Sequence, residues 1–312
     1  MDVARIREIF AVDDAIVSSL SRPDLTGTSQ ERYQSWVQHL GGPQQLDVEY
    51  LLPRIHQAVE PSWPSFVDNR PAPTRSPEQL RAEIERLGPW SIPFPLADGV
   101  TTMGDDMVAA VTEHRMLFRR DLIGKTVAGA LADTAASATV LDVGCNSGFF
   151  SMDLIDRGIG HVSGVDLRPK NIAQANFLAE HYGVAGADFR VADVDDLDDD
   201  AQFDVVLNLG LLYHVVNPLQ VIRRTYELCR RFAIIDTVCH REAVSGYFIF
   251  GNKDVDLPEE GRETYELHPT YRGAIDTIRY AGFREVYEVV GDAEKPHDLY
   301  RIGGRRCFLA IK

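Results

Sequence analysis

Residues 140–150 have the sequence Val140-Leu141-Asp142-Val143-Gly144-Cys145-Asn146-Ser147-Gly148-Phe149-Phe150. The apolar residues from 138 to 143 predict a buried parallel strand, and the apolar periodicity from 149 to 155 predicts a helix. Gly144 and Gly148 lie in the turn between them, where the absence of a Cβ lets the backbone pass close to a ligand. This strand–glycine loop–helix unit therefore predicts a nucleotide-binding site.

The spacing of this loop and the acid before it indicate which nucleotide binds. The Gly-x-x-x-Gly spacing differs from the Gly-x-Gly-x-x-Gly fingerprint of dinucleotide-binding folds, and no Gly-Lys-Ser/Thr follows as in a P-loop. Asp142, on the strand just before the loop, is poorly placed to face a pyrophosphate. A carboxylate beside a small loop suits the positively charged amino-acid end of S-adenosylmethionine, which we predict as the cofactor.

Further strands follow in the order expected of a parallel α/β sheet. Residues 161–166 and 188–193 each predict a strand that ends in an acid, and residues 203–210 predict a fourth strand. Asp166 lies 22 residues after Gly144, the distance at which an acid binds the ribose hydroxyls in nucleotide-binding folds. A single aspartate at a strand end is more often a cap or turn residue, but three acidic strand ends in register favour cofactor binding.

Residues 136–240 resemble the class I S-adenosylmethionine-dependent methyltransferases. Within this region, Leu211-Leu212-Tyr213-His214-Val215-Val216-Asn217-Pro218 is similar to the Gly-x-Leu-Tyr-His-x-x-x-Pro segment of the tRNA wobble-uridine carboxymethyltransferase family. Residues 88–100 and 265–270 are also similar to segments of that family. The family has glycine where this chain has Asn146, and asparagine is well able to adopt positive φ. The basic residues that follow the Tyr-His pair in the family are absent here.

The resemblance implies a Rossmann-like α/β fold with a seven-stranded, mostly parallel sheet that ends in an antiparallel hairpin. Asp166 is then expected at the ribose hydroxyls of the cofactor. The other expected cofactor-binding residues are Asp142, Gly144, Asn146 and Gly148 at the amino-acid end, Asp193 and Val194 at the adenine, and Asn208 and Leu209 on the methionine side.

The chain is expected to have three parts: a helical N-terminal extension with a proline-rich linker (residues 1–75), a helical pre-domain (residues 76–135) and the S-adenosylmethionine-binding domain (residues 136–312) with an insertion at 240–268. The extension includes a predicted helix at residues 46–59. Ser76 is predicted to cap the first helix of the pre-domain. The predicted helix at 105–123 carries four basic residues, which lie either near the entrance of the cofactor domain or, as we favour, on a solvated helix face: His114, Arg115, Arg119 and Arg120.

Composition narrows the choice of partner and compartment. The net charge of −15 opposes binding to nucleic acid, because phosphate neutralisation by basic residues supplies most of that affinity. The densest basic group, the arginines at 223, 224, 230 and 231, is expected on a solvated helix face. Four cysteines without a Cys-x-x-Cys pair indicate reduced thiols. Without a signal peptide or an 18-residue apolar segment, we expect a cytoplasmic protein that acts on a small molecule and can form a homo-oligomer.

His214 is the leading candidate for a catalytic base. It follows the fourth strand, at the edge of the sheet where such folds bind ligands, and its ordinary pKa suits proton abstraction at neutral pH. The alternative is a structural histidine before the helix that starts at Pro218. Asp236, after the fifth strand, is a second catalytic candidate, or it joins His240 around a divalent cation such as magnesium. The expected acceptor contacts are Tyr213, Tyr265, His268 and Arg272.

Three functions remain open from the sequence. The first is an O-methyltransferase that acts on a small polyhydroxylated acceptor such as a saccharide, which the acidic composition and His214 favour. The chain is also similar, without a firm motif, to sugar O-methyltransferases of bacterial polymethylated polysaccharide pathways. The second is tRNA wobble-uridine modification, and the third is a non-catalytic regulator that binds S-adenosylmethionine.

Overall fold

A computed structural model of the protein describes residues 3–15, 28, 30–31, 51–69, 71, 75–104, 107–198, 200–242, 244–251, 265–294 and 296–312. The helical segments predicted around residues 16–20 and 33–40 lie outside the described residues.

The strands are β1 (Ala11–Asp13), β2 (Arg54–Ala58), β3 (Thr139–Val143), β4 (His161–Asp166), β5 (Ala187–Val191), β6 (Phe203–Leu209), β7 (Cys229–Val238), β8 (Tyr247–Gly251), β9 (Tyr265–Pro269), β10 (Glu285–Asp292) and β11 (Arg305–Ile311). The helices are α1 (Val3–Ile9), α2 (Ser65–Asp68), α3 (Pro77–Leu87), α4 (Met107–Leu131), α5 (Phe149–Asp156), α6 (Pro169–Tyr182), α7 (Pro218–Leu228), α8 (Tyr271–Ala281) and α9 (Asp298–Arg301). Short 3₁₀ turns cover Ala132–Ser137, Val194–Asp196 and Leu212–His214.

Nine of these strands form one sheet in the order β1-β2-β10-β11-β7-β6-β3-β4-β5. Strands β7, β6, β3, β4 and β5 are parallel, and β11 runs antiparallel to both of its neighbours. The seven predicted strands are therefore present, and the Rossmann-like fold with a terminal antiparallel hairpin is confirmed. The strand order reverses beside β3, so the loops after β3 and β6 open together at the carboxyl edge, where such sheets bind ligands.

The N-terminal region contributes two strands that the sequence analysis missed. The prediction of a helix over residues 46–59 is wrong for residues 54–58, which form strand β2. This strand pairs in parallel with β10, so that Ile55 lies opposite Val289. Pro53 opposes a continuous helix through this segment. The side chains of Leu52 and Ile55 are fully buried, so residues 51–59 complete the core of the methyltransferase sheet.

The pre-domain helices form where the sequence predicts them. Helix α3 has a capping box in which Ser76 Oγ accepts from the Gln79 amide and the Gln79 side chain accepts from the Ser76 amide. Helix α4 continues to Leu131, beyond the predicted end at residue 123, and more of its residues are buried than predicted. Residues 116–124 are all buried, so the expectation of a solvated basic face is wrong for Arg119 and Arg120. A buried guanidinium needs a carboxylate partner, and Arg120 has Asp153 at 2.6 Å.

The basic group near α7 is also only partly solvated. Arg224 is buried and donates to the carbonyl oxygens of Val194 and Leu197, so the expectation of exposure is wrong for this residue. Arg223 is exposed, as predicted. All four cysteines are free and buried.

The insertion after β7 contains an antiparallel hairpin of β8 and β9, which forms a separate two-stranded sheet. Helix α8 follows, capped by Thr270 at its start and ended by Gly282. Apolar side chains pack on both faces of the main sheet. Within the described ranges, no helix is both long enough and apolar enough to cross a membrane.

Candidate active site

The loop between β3 and α5 adopts the conformation that its residues allow. Gly144, Asn146 and Gly148 all have positive φ, at 70°, 50° and 78°. Asparagine thus holds the position where the related family has glycine, as predicted. The amides of Gly144 and Cys145 donate to the Val165 carbonyl at 2.8 and 3.0 Å, which fixes the loop against the end of β4.

Gly148 is needed for packing rather than for a close approach to a ligand. A Cβ at this position would lie 2.6 Å from the ring of Phe189 on β5. Gly148 also lies outside the cavity wall, whereas Gly144, Cys145 and Asn146 form part of it. Gly144 and Asn146 of the loop therefore face the cavity. Gly148 instead leaves room for the Phe189 ring, so that α5 can pack on the sheet.

A cavity of about 780 Å³ opens beside this loop, at the carboxyl edge of the sheet. The residues from the sequence analysis that line it are Asp142, Gly144, Asn146, Asp166, Asp193, Val194, Leu209, Tyr213 and His214. Those that do not line it are Gly148, Asn208, Asp236, His240, Tyr265, His268 and Arg272. The cavity wall thus holds most of the predicted cofactor residues and few of the predicted acceptor residues.

Two carboxylates stand at the cofactor end of the cavity. Asp142 is 1% exposed and accepts a hydrogen bond of 2.6 Å from Ser151 Oγ. Burial raises the pKa of Asp142 to about 6, although the Ser151 bond acts in the opposite direction. Asp166 accepts from the amides of Asn146 and Arg168 at 3.0 and 2.8 Å, and these bonds fix its carboxylate at the cavity wall.

The remaining cofactor candidates divide between the wall and the core. Asp193 caps a 3₁₀ turn by accepting from the Asp195 amide, and Val194 follows it on the wall. Asn208 is fully buried behind the wall, where its side-chain amide donates to Thr225 Oγ1 at 3.4 Å. Leu209 lines the cavity.

His214 has a carboxylate neighbour that the sequence analysis did not identify. Its Nδ1 lies 2.9 Å from Oε1 of Glu266 on β9. The other oxygen of Glu266 is 2.6 Å from Nε2 of His268, and Nδ1 of His268 is 3.4 Å from Nε2 of His240. Glu266 lies within residues 265–270, the segment noted above for its family similarity, so that resemblance was the available signal.

Burial controls the charge of His214. It lowers the pKa of His214 to about 4, because desolvation of the imidazolium outweighs the opposite effect of Glu266. The positive charge of Arg305 lowers it further. His214 is therefore neutral at neutral pH and able to accept a proton.

Asp236 is held by cations and does not pair with His214. It is fully buried, and Oδ1 accepts from Arg119 Nη2 at 2.8 Å and lies 2.6 Å from Arg305 Nη2. The hydroxyl of Tyr300 donates to its other oxygen. Burial alone would raise the pKa of Asp236, but the two arginines hold it below its usual value.

These contacts do not fit the predicted divalent cation. Two guanidinium groups beside Asp236 oppose a metal ion at the same carboxylate. The ring of His240 stacks on that of Phe250, with centroids 5.3 Å apart. Across the described part of the chain, no group of three or more His, Cys, Asp or Glu residues is arranged to hold a metal.

The predicted acceptor contacts are largely replaced by others. Arg272 is buried on α8 with Asp276 at 3.4 Å, away from the cavity wall. The cavity is instead lined beyond the cofactor end by side chains from α4, the turn after β6, β9 and β11, namely Arg115, Arg119, Tyr213, His214, Glu266 and Arg305. Arg115 and Arg119 are one turn apart on α4, a spacing that places two side chains on one helix face.

The cavity fits S-adenosylmethionine at one end and leaves a polar space at the other. Asp142 can pair with the cofactor's ammonium group and Asp166 can accept from its ribose hydroxyls. The loop at Gly144 has positive φ and exposes backbone beside both acids. The same cavity wall also carries a neutral histidine, His214, and the arginines Arg115, Arg119 and Arg305.

Comparison with known proteins identifies the family of the chain. A family model described as a methyltransferase domain matches residues 135–295, about half of the chain. The O-antigen chain terminator bifunctional methyltransferase/kinase WbdD of Escherichia coli is 31% identical over 166 residues, which are 51% of this chain and 23% of that protein. The tRNA U34 carboxymethyltransferase of Marinobacter nauticus is 33% identical over 207 residues, which are 62% of this chain and 59% of that protein.

A solved structure shows the same fold. The N-terminal domain of EvdMO1, crystallised with S-adenosylhomocysteine and D-fucose, aligns with a TM-score of 0.56 and 18% identity, and covers 78% of this chain and 98% of that one. The chain spans less than a quarter of the length of the O-antigen relative. The family match, the sheet order and the cavity together assign it: the chain belongs to the methyltransferase-domain family and is a class I S-adenosylmethionine-dependent methyltransferase.

Proposed function

We propose that this methyltransferase transfers the methyl group to a hydroxyl oxygen of a small polyhydroxylated acceptor, such as a saccharide. The observation that carries the proposal is the position of His214. It lines the cavity beyond the cofactor end, and its lowered pKa leaves it neutral where a hydroxyl acceptor needs a base. A methyltransferase that acts on a stronger nucleophile has less need of such a group.

The geometry supports a defined route for the proton. The bound cofactor supplies an electrophilic methyl group. Because Nδ1 of His214 faces Glu266, the favoured tautomer carries its proton on Nδ1 and leaves Nε2 as the acceptor. When the acceptor oxygen displaces the sulfur, the carbon–sulfur bond would break and the cofactor would leave as a neutral thioether. The hydroxyl proton of the acceptor would move to Nε2 of His214, and Glu266 would stabilise the imidazolium that forms.

Two of the similar proteins support a saccharide acceptor. The Escherichia coli relative is named for O-antigen, and the EvdMO1 domain was crystallised with D-fucose. Ring-bearing side chains stand around the catalytic candidate: Tyr213 lies 4.1 Å from His214 and 5.4 Å from His268 between ring centroids. Such faces pack well against the apolar side of a sugar ring.

Modification of tRNA is the second candidate, favoured by the relative from Marinobacter nauticus. The charge opposes it, since the chain carries 32 basic against 47 acidic residues. Retention of the protein by immobilised tRNA at low salt, lost at high salt, would favour this candidate over the first.

A methyl-transfer screen tests the proposal. Cofactor labelled in its methyl group is incubated with pooled sugars, phenols and tRNA, and labelled products are identified by mass spectrometry. We expect an O-methylated sugar and a fall in kcat of about 10²–10⁴-fold for His214→Ala. His161→Ala, at an exposed histidine outside the cavity, serves as the matched control and should keep full activity. Label in tRNA alone, or full activity of His214→Ala, would overturn the proposal.

A further inference from the structure

Three arginines form the wall of the cavity beyond the cofactor end. Arg115 and Arg119 come from α4 and Arg305 from β11, and we call them the arginine cluster. One buried carboxylate, Asp236, pairs with both Arg119 and Arg305, at 2.8 and 2.6 Å. Three guanidinium groups therefore share one directly paired carboxylate, so the cluster itself keeps an excess of positive charge, although Asp142, Asp166 and Glu266 line other parts of the same cavity.

Within the described residues, Arg115 is the member of the cluster that forms no ion pair with a carboxylate, whereas Arg119 and Arg305 both pair with Asp236. Its Nε is buried, and no described residue accepts a hydrogen bond from it. Burial lowers the pKa of Arg115, and the charges of Arg119 and Arg305 add to that effect. A guanidinium in this position is destabilised until an anion enters the cavity and accepts from it.

The cluster stands beside the proton acceptor. Arg305 Nη1 donates to the hydroxyl of Tyr213 at 3.5 Å, and Tyr213 packs against His214. The charge of Arg305 contributes to the low pKa of His214. A ligand held by the cluster therefore lies next to the base, where the methyl acceptor must be.

The cofactor has a carboxylate of its own, and Arg119 is the arginine better placed for it. The charge of Arg119 acts on Asp142, the residue at the amino-acid end of the cofactor. Arg115 lies one turn earlier on α4. The two arginines thus differ in their contacts: Arg119 is bonded to Asp236, whereas Nε of Arg115 has no acceptor among the described residues and is available to a ligand.

We propose that the acceptor carries an anionic group, a carboxylate or a phosphate, which Arg115 binds while the reacting hydroxyl faces His214. This inference rests on the proposed function and narrows it to anionic polyhydroxylated acceptors. A planar guanidinium recognises both anions through paired hydrogen bonds, so the shared chemistry is an oxyanion. The anion satisfies the donors of Arg115 and offsets the excess charge of the cluster.

The test is calorimetric titration of the protein saturated with S-adenosylhomocysteine, so that the cofactor's carboxylate is already bound. Glucose, glucuronate and glucose 6-phosphate are the probes, a neutral sugar with its carboxylate and phosphate counterparts. We expect at least one anionic probe to bind roughly 10- to 100-fold more tightly than glucose, the usual effect of a charge-assisted hydrogen bond. The anionic probe that binds more tightly shows whether Arg115 recognises a carboxylate or a phosphate.

Two variants of Arg115 test whether this residue causes the tighter binding of the anionic probes. Arg115→Gln should abolish the preference and Arg115→Lys should keep part of it, with affinity for S-adenosylhomocysteine within about twofold of the wild type in both. Arg223→Gln, the same charge change at an exposed site outside the cavity, is the matched control and should keep the preference.

Three results would overturn the inference: equal affinity of the wild type for all probes, an unchanged preference in Arg115→Gln, or a large loss of S-adenosylhomocysteine affinity in that variant. The last would assign Arg115 to the cofactor. None of these results depends on methyl transfer, so a failure of the proposed function would be seen separately, in the methyl-transfer screen.

Discussion

Nδ1 of His214 lies 2.9 Å from Oε1 of Glu266, which joins the turn after β6 to strand β9. The two atoms are close, but the contact is not aligned as a regular hydrogen bond. Catalytic hydrogen bonds are often loose in a protein without its substrate and tighten in the complex. In the proposed mechanism the pair is a base together with the carboxylate that orients it, supplied by segments 52 residues apart in sequence.

Replacement of Glu266 by glutamine tests this pairing. The variant keeps a similar shape but loses the negative charge that stabilises the imidazolium of His214. Loss of one charge-assisted interaction should lower kcat by about 10- to 100-fold with little change in cofactor affinity. Steady-state kinetics give both quantities. Glu227→Gln, on the surface of α7, is the control and should behave as the wild type; an unaltered kcat for Glu266→Gln would contradict the dyad.

The pH dependence of the rate should reflect the lowered pKa of His214. The base acts when neutral, so activity is present above its pKa and is lost as pH falls through that value. With a pKa of about 4, the His214-dependent rate should be level from pH 6 to 8 and decline only in more acidic solution. A profile of kcat against pH, with cofactor and acceptor saturating at every pH so that the titration of Asp142 does not contribute, measures this. An acidic limb near 6.5, the ordinary value for histidine, would show that the side chain is solvated in the working enzyme.

Local features were predictable from the sequence, and contacts between distant segments were not. Asp142, the glycine loop and Asp166 follow one another within a single βαβ unit, so their spacing alone places them together. The pairing of Arg119 with Asp236 joins residues 117 positions apart, and no local pattern reveals it. The strand at Ile55 was missed for a similar reason, because only the edge of β10 makes that segment extended.

Cofactor affinity should depend on pH through Asp142. Its carboxylate must be ionised to pair with the cofactor's ammonium group, and its pKa is raised to about 6. Affinity for S-adenosylhomocysteine should therefore fall as pH is lowered from 7 to 5, by roughly tenfold per unit below the pKa. Calorimetry across this range tests the sign and the midpoint. Asp142→Asn should bind weakly at every pH; a wild-type affinity that stays constant would remove Asp142 from the ammonium site.

Removal of the Asp166 carboxylate should weaken cofactor binding. Asp166→Ala loses the acceptor for the ribose hydroxyls and also the bonds to the Asn146 and Arg168 amides that order the loop. We expect a loss of about 1–3 kcal/mol in binding free energy, measured by calorimetry. Asp188→Ala, at an exposed acid on neighbouring β5, is the control. If both variants bind like the wild type, the ribose assignment is wrong.

Three glycines allow backbone strain and steric crowding to be separated. A Cβ at Gly158 meets nothing within 4 Å, but φ there is +86°; a Cβ at Gly164 meets the Phe189 ring at 2.6 Å without positive φ. Gly148 combines both, with φ of +78° and the same ring at 2.6 Å. The free energy of unfolding should therefore fall by about 1–2 kcal/mol in Gly158→Ala because of backbone strain, and by about 1–3 kcal/mol in Gly164→Ala because of crowding. Gly148→Ala should lose the sum of the two.

Phe189 then provides the decisive comparison, because shortening its side chain relieves crowding but leaves φ unchanged. In double-mutant cycles with Phe189→Ala, which removes the Cδ1 atom that crowds Gly164, Gly164→Ala should recover most of its lost stability in urea unfolding. Gly148→Ala should recover only the crowding part and remain about 1–2 kcal/mol below the single Phe189→Ala variant, because its left-handed backbone is still strained. Gly158→Ala should show no coupling to Phe189 at all. Full recovery of Gly148→Ala would mean that the loop leaves the left-handed conformation without cost, and the conformation of the cofactor loop would then not depend on that glycine.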